Sequence, residues 1–394
     1  MLFYLVVYLL AIALAWASDE FPALASRLAG ARASALPVVR QRVVSDVLFC
    51  LSGCVLLLVR GLRCGIGVDY FFSYVPKFEA ALSGGEVWGD KLYGGLIYLC
   101  SMISDDYKLF FFVDSVLFIG AVYLAIYLAK VRRGFSVALF LLGFHFVRSM
   151  NMQAQYLALA FCLLAIALYA FLDKRALSFI VVLIASAFHA SALLMLVPMV
   201  IDWALCRVSA QRRRVVALSS CVALPVLSVA LRGVFPVVVE ALLSNGRFAW
   251  YFGTKYDDGE FSGYLFLINV ALLALMFAIC LRQRGDLTHP CVLALLFQGC
   301  ALAASVLTGT VPLMYRVVYC FMIAPVILLG PVIGSLPKKR AVLIMLVVLL
   351  GFSVVHFAYL SPQDTDRVIP YVSVFDSAKT IEGIRQEISV ISKY

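Results

Sequence analysis

Apolar residues along this chain run in long blocks, separated by short clusters of charge and glycine. A helix needs ~20 mainly apolar residues to cross the hydrocarbon of a bilayer, and about twelve blocks approach that length. They cover 2–16, 43–60, 107–130, 135–148, 152–172, 176–189, 190–205, 214–232, 263–281, 288–308, 313–335 and 340–360. The blocks at 135–148 and on either side of His189 reach only ~20–24 Å at 1.5 Å per residue. There the helices are expected to break or to meet at a thinned, water-accessible place. The pattern predicts an all-α polytopic transmembrane bundle of about twelve spans.

Composition agrees: 64% of the 394 residues are hydrophobic and 14% charged, which excludes an ordinary soluble domain. Residues 1–18 lack a basic stretch ahead of Leu2, so they read as a first span, not a cleaved signal. The eleven cysteines show no CxxC and no histidine at ligand spacing, so neither a metal nor any cofactor is expected. One polytopic domain over 1–360 is expected, with an extracytoplasmic tail at 361–394. In the tail, Pro362 and Pro370 suggest an extended start, followed by a short helix near Ala378 to Ile391.

Charge assigns the sides. Placing the N-terminus outside gathers Arg27, Arg32, Arg40, Arg42, Lys130, Arg132, Arg133, Lys174, Arg175, Arg207, Arg212 to Arg214, Arg282, Arg284 and Lys338 to Arg340 on one side. These 18 basic residues face six acids, while the other side holds 14 bases and 16 acids. The basic side is cytoplasmic by this bias, so the net charge of +10 reflects topology, and nucleic acid is not an expected partner. Arg63, Asp69, Glu86, Arg148, Asn151, His189, Arg247, Lys255 and Arg316 then all approach the outer face. The two longest loops, 61–106 and 233–262, lie there as well, and long ordered loops tend to carry function.

Within "RCGIGVDYFFSYVPKF", Arg63 and Asp69 flank Gly65 and Gly67, and Tyr70 leads an aromatic run. Aromatic faces beside carboxylates suit sugar rings, although an interfacial aromatic belt has the same composition. Glu86 and Asp90 fall one turn apart if their segment is helical. In "FHFVRSMNMQAQYLALAF", His145, Arg148, Asn151 and Gln155 aim several polar groups at one span junction. Polar groups at membrane depth are costly unless paired or solvated, which makes them functional candidates. An arginine there also snorkels, and Asp114 suits either a site or a structural ion pair. His189 stands at an outward turn between two short blocks, and Arg316 lies near the outer end of its own.

These segments resemble the EpsG family of bacterial exopolysaccharide proteins, allied to the Wzy-type polymerases. The likeness rests on "RCGIGVDYFFSY", Glu86 in "GGEVWGDKLY", "NMQAQYLALAF", "FHASAL" and "YRVVYCF", in order over residues 60–335. One departure stands out: where the family pattern reads N-x-x-R-Q, Asn151 and Gln155 match but Ala154 takes the arginine's place, with Arg148 a turn earlier. The resemblance implies a GT-C-like or Wzy-like glycosyltransferase in the bacterial inner membrane with its active site facing the periplasm or exterior. It implies glycan repeat units on undecaprenyl pyrophosphate as donor and acceptor, the lipid bilayer as surroundings, and chain-length regulators and export proteins as partners. Capsule, O-antigen or exopolysaccharide would be the product.

That chemistry needs cations for the leaving pyrophosphate and a base for the acceptor hydroxyl. Arg316, Arg148 and Arg63 are candidates for the first task, because a guanidinium grips phosphate oxygens in pairs. Asp69 or His189 suits the second, and Tyr70, Glu86, Asn151 and Gln155 are candidate substrate contacts. A lipid-linked glycan ligase shares the donor chemistry, and an oligosaccharide flippase is the non-enzymatic alternative; a membrane acyltransferase would need a cytoplasmic histidine–carboxylate motif that the spacing does not reveal.

Overall fold

The computed structural model of the protein describes residues 1–29, 38–243, 261–311, 313–360 and 367–391. The described residues are helical, apart from loops and one isolated β-bridge between Arg63 and Ser373. Every apolar block becomes helix, but lengths differ. Eight helices are long and apolar enough to cross a membrane, and a bent pair at 314–334 makes a ninth. Arg133–Leu142, Arg175–Phe188 and Ala190–Leu205 are shorter, in the three places where the blocks are too short to span. The chain is a polytopic helical membrane protein.

Two compact units form, one from residues 1–190 and 348–394, the other from 191–347. The first contains α1 (Leu2–Ala29), α2 (Val38–Gly61), α3 (Val75–Leu82), α4 (Lys91–Ser101), α5 (Lys108–Ala129), α6 (Arg133–Leu142), α7 (His145–Arg148), α8 (Gln153–Leu172) and α9 (Arg175–Phe188). In it α8 is the most enclosed long helix, packed against α5 and α9, while α1 and α2 pair and keep most of their apolar surface outward. Apolar faces turned outward are at home in lipid tails.

Tight ends follow local chemistry. Lys130 and Asp173 close α5 and α8 in the left-handed region, at φ 51° each. The Asp19 carboxylate of α1 accepts the backbone N–H groups of Arg133 (3.1 Å) and Gly134 (2.9 Å) at the start of α6. A negative group satisfies the orphan donors of a helix N-terminus. Gly134 is needed there, since a Cβ would lie 2.8 Å from the Trp16 Cα.

The second unit contains α10 (Leu196–Leu205), α11 (Ala210–Leu231), α12 (Phe235–Leu243), α13 (Gly263–Arg282), α14 (His289–Val306), α15 (Met314–Met322) and α16 (Pro325–Gly334). Its enclosed helix is α14, against which α10, α11, α13, α15 and α16 pack. The 46° bend between α15 and α16 falls where Pro325 begins a new helix, a position that proline favours because it lacks the N–H to continue the old one. Inside, Gln298 Nε2 donates to Asn269 Oδ1 at 2.7 Å. Part of loop 233–262 is α12, whereas residues 244–260, with Arg247 and Lys255, lie outside the described residues, as does Arg32.

Helix α17 (Lys338–Leu360) ends in the first unit, and α18 (Ala378–Ile391) covers the helix expected in the tail. Residues 367–391 run along the first unit as a strap. Tyr4 and Tyr371 donate to the carbonyls of Val368 and Val59, both at 2.9 Å.

Candidate functional site

A polar cluster is buried at one end of the first unit, where α2 finishes, α5 begins and α6 turns into α8. Its base is Arg60, in the last turn of α2 and fully enclosed. The guanidinium pairs with Asp114 at 2.7 Å and donates to Ser149 Oγ (3.0 Å), Ser115 Oγ (2.9 Å) and the Ser149 carbonyl (3.1 Å). It also lies 4.5 Å from the Phe118 ring centre. Tyr93 Oη donates to the other Asp114 oxygen at 3.4 Å. Asp114 thus takes the ion-pair role with Arg60, and its charge also acts on Arg63 from further away.

Arg63 is different. It too has no exposed surface, and Nη1 donates to the Arg60 carbonyl. Nε and Nη2 meet no acceptor among the described residues. The guanidinium sits 5.3 Å from Phe111 and 5.9 Å from Tyr70, rings that stack on each other at 3.8 Å. Cation–π contact steadies the position without cancelling the charge. Burial first, and then the neighbouring charge of Arg60, lowers its pKa to about 10, so it stays a cation at neutral pH. Two guanidiniums and one carboxylate leave a net positive charge in an enclosed space.

The loop that places Arg63 depends on glycine. Gly65 and Gly67 take φ 67° and 90°, which side chains rarely tolerate. A Cβ on Gly67 would stand 2.6 Å from the Met150 carbonyl oxygen. Beyond the loop, Tyr70–Tyr74 forms a π-helical turn, a form frequent at functional sites.

The junction of α6 and α8 supplies the facing wall. Phe144 enters α7 at φ 68°, and His145, Arg148, Gln153 and Gln155 are all buried. Asn151 Oδ1 accepts the Asp69 backbone N–H at 3.0 Å, which ties the junction to the glycine loop. Both amide atoms of Gln153 lack a partner among the described residues. Arg148 Nη2 donates to Tyr359 Oη at 3.2 Å. The Ala154 backbone N–H points at Tyr74 Oη, 3.4 Å away.

The structure thus brings Arg63, Asp69, Tyr70 and Asn151 into one bonded loop and junction. Asp69 is half-buried and Tyr70 buried. Glu86 is exposed, and residues 85–88 are not helical, so Glu86 and Asp90 do not share a helix face; Asp90 instead precedes α4. His189 is half-buried in extended backbone at the end of α9, its N–H bonded to the Ala185 carbonyl at 3.1 Å. Arg316 belongs to the second unit, half-buried in the first turn of α15, with Nε 3.4 Å from Tyr315 Oη.

Arg60, Ser149 and Gln153 were not among the residues that pattern reading nominates. Arg60 closes an apolar block, where an arginine is ordinarily a snorkelling end, and only tertiary contact with Asp114 distinguishes it. A second grouping is equally invisible to linear spacing. In the second unit Asp202 and Cys206, one turn apart on α10, meet His289 at the start of α14, with donor atoms within 4.8 Å of one another. His289 Nε2 lies 2.6 Å and Cys206 Sγ 3.8 Å from Asp202 Oδ2. These are ligand types for a borderline divalent ion, and in the structure a buried carboxylate meets a half-buried imidazole beside a thiol.

No curated protein and no solved structure matches the chain. A family model described as EpsG matches residues 46–373, from the middle of α2 to the strap and across every element of the buried cluster. The chain therefore belongs to the EpsG family, whose members imply an exopolysaccharide polymerase type of function.

Proposed function

We propose that this protein joins undecaprenyl pyrophosphate-linked oligosaccharide repeat units at the outer face of the inner membrane, producing exopolysaccharide, capsule or O-antigen. The acceptor hydroxyl oxygen attacks the anomeric carbon of the donor glycan. A new glycosidic C–O bond forms as the C–O bond to pyrophosphate breaks, and the leaving group takes that electron pair. The acceptor proton passes to Asp69 or His189.

The observation that carries this reading is Arg63, a buried cation beside two aromatic rings whose Nε and Nη2 meet no acceptor among the described residues. Such a group is costly at rest and gains most from an anion whose charge grows during reaction, the condition for transition-state stabilisation. Arg148 is the further clamp of the first unit, and Tyr70, Glu86, Asn151 and Gln155 are the glycan contacts. A groove of about 360 Å³ between α2 and α5, lined by Gly53, Leu57, Gly120 and Tyr123 among others, runs along the helices that carry Arg60 and Asp114. Its apolar walls suit a polyprenyl chain.

The test is mass spectrometry of lipid-linked glycans from the native bacterium with and without the gene. Single repeat units accumulate at the outer face if the protein is the polymerase. Long lipid-linked chains there mark a ligase, and units confined to the cytoplasmic face mark a flippase. Arg316→Ala and His189→Ala each abolish polymer while the protein still accumulates, and Arg316→Lys restores only part, because a point charge replaces a fork.

A further inference from the structure

The strap at 367–391 covers Arg63, and among the described residues it gives that side chain no acceptor. The Cys64 N–H donates to the Val372 carbonyl at 2.9 Å and the Val374 N–H to the Leu62 carbonyl at 2.8 Å, setting Ser373 directly across from Arg63. The Gly67 N–H reaches the Arg367 carbonyl at 3.2 Å. A methyl of Ile384 packs so closely on Gly65 that a Cβ there would lie 2.9 Å from it. None of these contacts supplies an acceptor to Arg63 Nε or Nη2. In the strap, Asp376 turns back to accept from the Ser373 N–H (2.7 Å) and hydroxyl (2.8 Å). At its outer end the strap is held by an Arg385–Glu79 pair at 3.6 Å, both side chains 54% exposed, and exposed pairs contribute little.

A protein that seals a cation beneath a segment offering no counter-charge has left that charge for something else. A buried donor without a partner is unfavourable in proportion to its desolvation, so the covered state is strained electrostatically and an entering anion relieves it. Arg60, Phe111 and Tyr70 pack on the Arg63 side chain, and the strap is bridged to its backbone.

We propose that residues 367–391 are a lid over Arg63, and that the covered site takes the phosphate groups of a prenyl diphosphate once the lid lifts. The proposal rests on the polymerase reading for the lipid identity of the substrate, while the lid stands on the contacts alone. Phosphate chemistry at Arg63 is shared by a lipid diphosphate and by free pyrophosphate, and the test separates them.

One substitution locks the lid. Val372→Cys puts a thiol opposite the native Cys64, with both positions buried. Opposed residues of an antiparallel pair have Cα atoms about 5.5 Å apart, within disulfide range. The full-length variant, purified in nanodiscs, is oxidised with copper phenanthroline or kept reduced, and binding of farnesyl diphosphate and of inorganic pyrophosphate is measured. The reduced protein is expected to bind farnesyl diphosphate at least tenfold more tightly than the locked one, and Arg63→Gln in the reduced protein to remove that binding. Preference for farnesyl diphosphate assigns the site to the lipid, whereas equal binding of pyrophosphate overturns the prenyl part. Equal binding by locked and reduced protein overturns the lid, as does binding by neither.

A second readout does not depend on the ligand. In the unmutated protein, maleimide should label Cys64 much faster than Cys162, which is equally enclosed but lies within α8. Arg385→Glu, by repelling Glu79, should speed Cys64 labelling several-fold. Labelling of Cys64 as slow as that of Cys162 in both proteins overturns the lid even if the Val372→Cys variant folds poorly. Because neither readout needs polymer synthesis, loss of the polymerase reading leaves the outcome of both intact.

Discussion

Arg60 and Arg63 stand three residues apart, equally buried, and should respond to the same substitution in opposite ways. Arg60→Met removes the 2.7 Å pair to Asp114 and three further hydrogen bonds, leaving the carboxylate with a 3.4 Å hydrogen bond from Tyr93 and the more distant charge of Arg63. Breaking a buried pair from one side costs about 3–5 kcal/mol, and with both side chains at 0% exposure solvent screening offers no relief. Arg63→Met loses one hydrogen bond, worth about 0.5–1.5 kcal/mol, and a cation–π contact of about 0.5–2 kcal/mol. Against that it removes a buried charge with two unpartnered N–H groups, and each unsatisfied buried donor costs about 1–3 kcal/mol. The net for Arg63→Met is therefore near zero or stabilising by about 1–2 kcal/mol. Thermal unfolding of detergent-purified protein, read by fluorescence-detected size exclusion, separates the two: a steep fall in midpoint for Arg60→Met, an unchanged or raised one for Arg63→Met. Both variants should lose polymer. If Arg63→Met is as unstable as Arg60→Met, Arg63 has a structural counter-charge and the anion-site reasoning fails. Adding Asp114→Leu to Arg60→Met should recover most of the lost stability, since an apolar replacement leaves no stranded charge.

Two further expectations test the supports of the site and the second unit. Gly67→Ala forces a side chain into φ 90° and toward the Met150 carbonyl; a loss of at least about 2 kcal/mol is expected from such backbone strain, and unchanged thermal stability would show that the loop does not pack on the junction. His289→Ala withdraws the imidazole hydrogen bond from the buried Asp202 and should lower stability by about 1–3 kcal/mol, the cost of weakening the satisfaction of a buried polar group. His289→Gln, which keeps a donor, should recover part of it, and a null effect in the same unfolding assay would mean that the pair contributes nothing.

The legible parts of this protein were those written in local chemistry. Long apolar blocks needed no partner to become helices, because a backbone in lipid satisfies itself only by helical bonding. The breaks were legible where blocks fell short, at 135–148 and on either side of His189. The helix at Ala378–Ile391 followed from its own residues. Among the site residues, Arg63, Asp69, Tyr70 and Asn151 were visible as a mixture of charge, glycine and aromatic that a simple span does not need. Glu86 and Asp90 fall one turn apart only in a helix, and residues 85–88 stay non-helical, with Asp90 just before α4.

Distant contacts were illegible for a physical reason. Whether Asp114 neutralises Arg60 or Arg63 depends on two helices and a few ångströms, and nothing in either segment records the choice. The same holds for Asp202 with His289, 87 positions apart. By itself, the sequence determined a helical membrane protein, the order of its spans and its kinship with EpsG proteins, because hydrophobic length and short motifs act locally. Tertiary structure alone decided that Arg60 pairs directly with Asp114, that Arg63 Nε and Nη2 meet no acceptor among the described residues, and that the chain's own C-terminal strap lies across Arg63. Pairing of buried charges is settled by distance through space, and only the packed chain sets that distance.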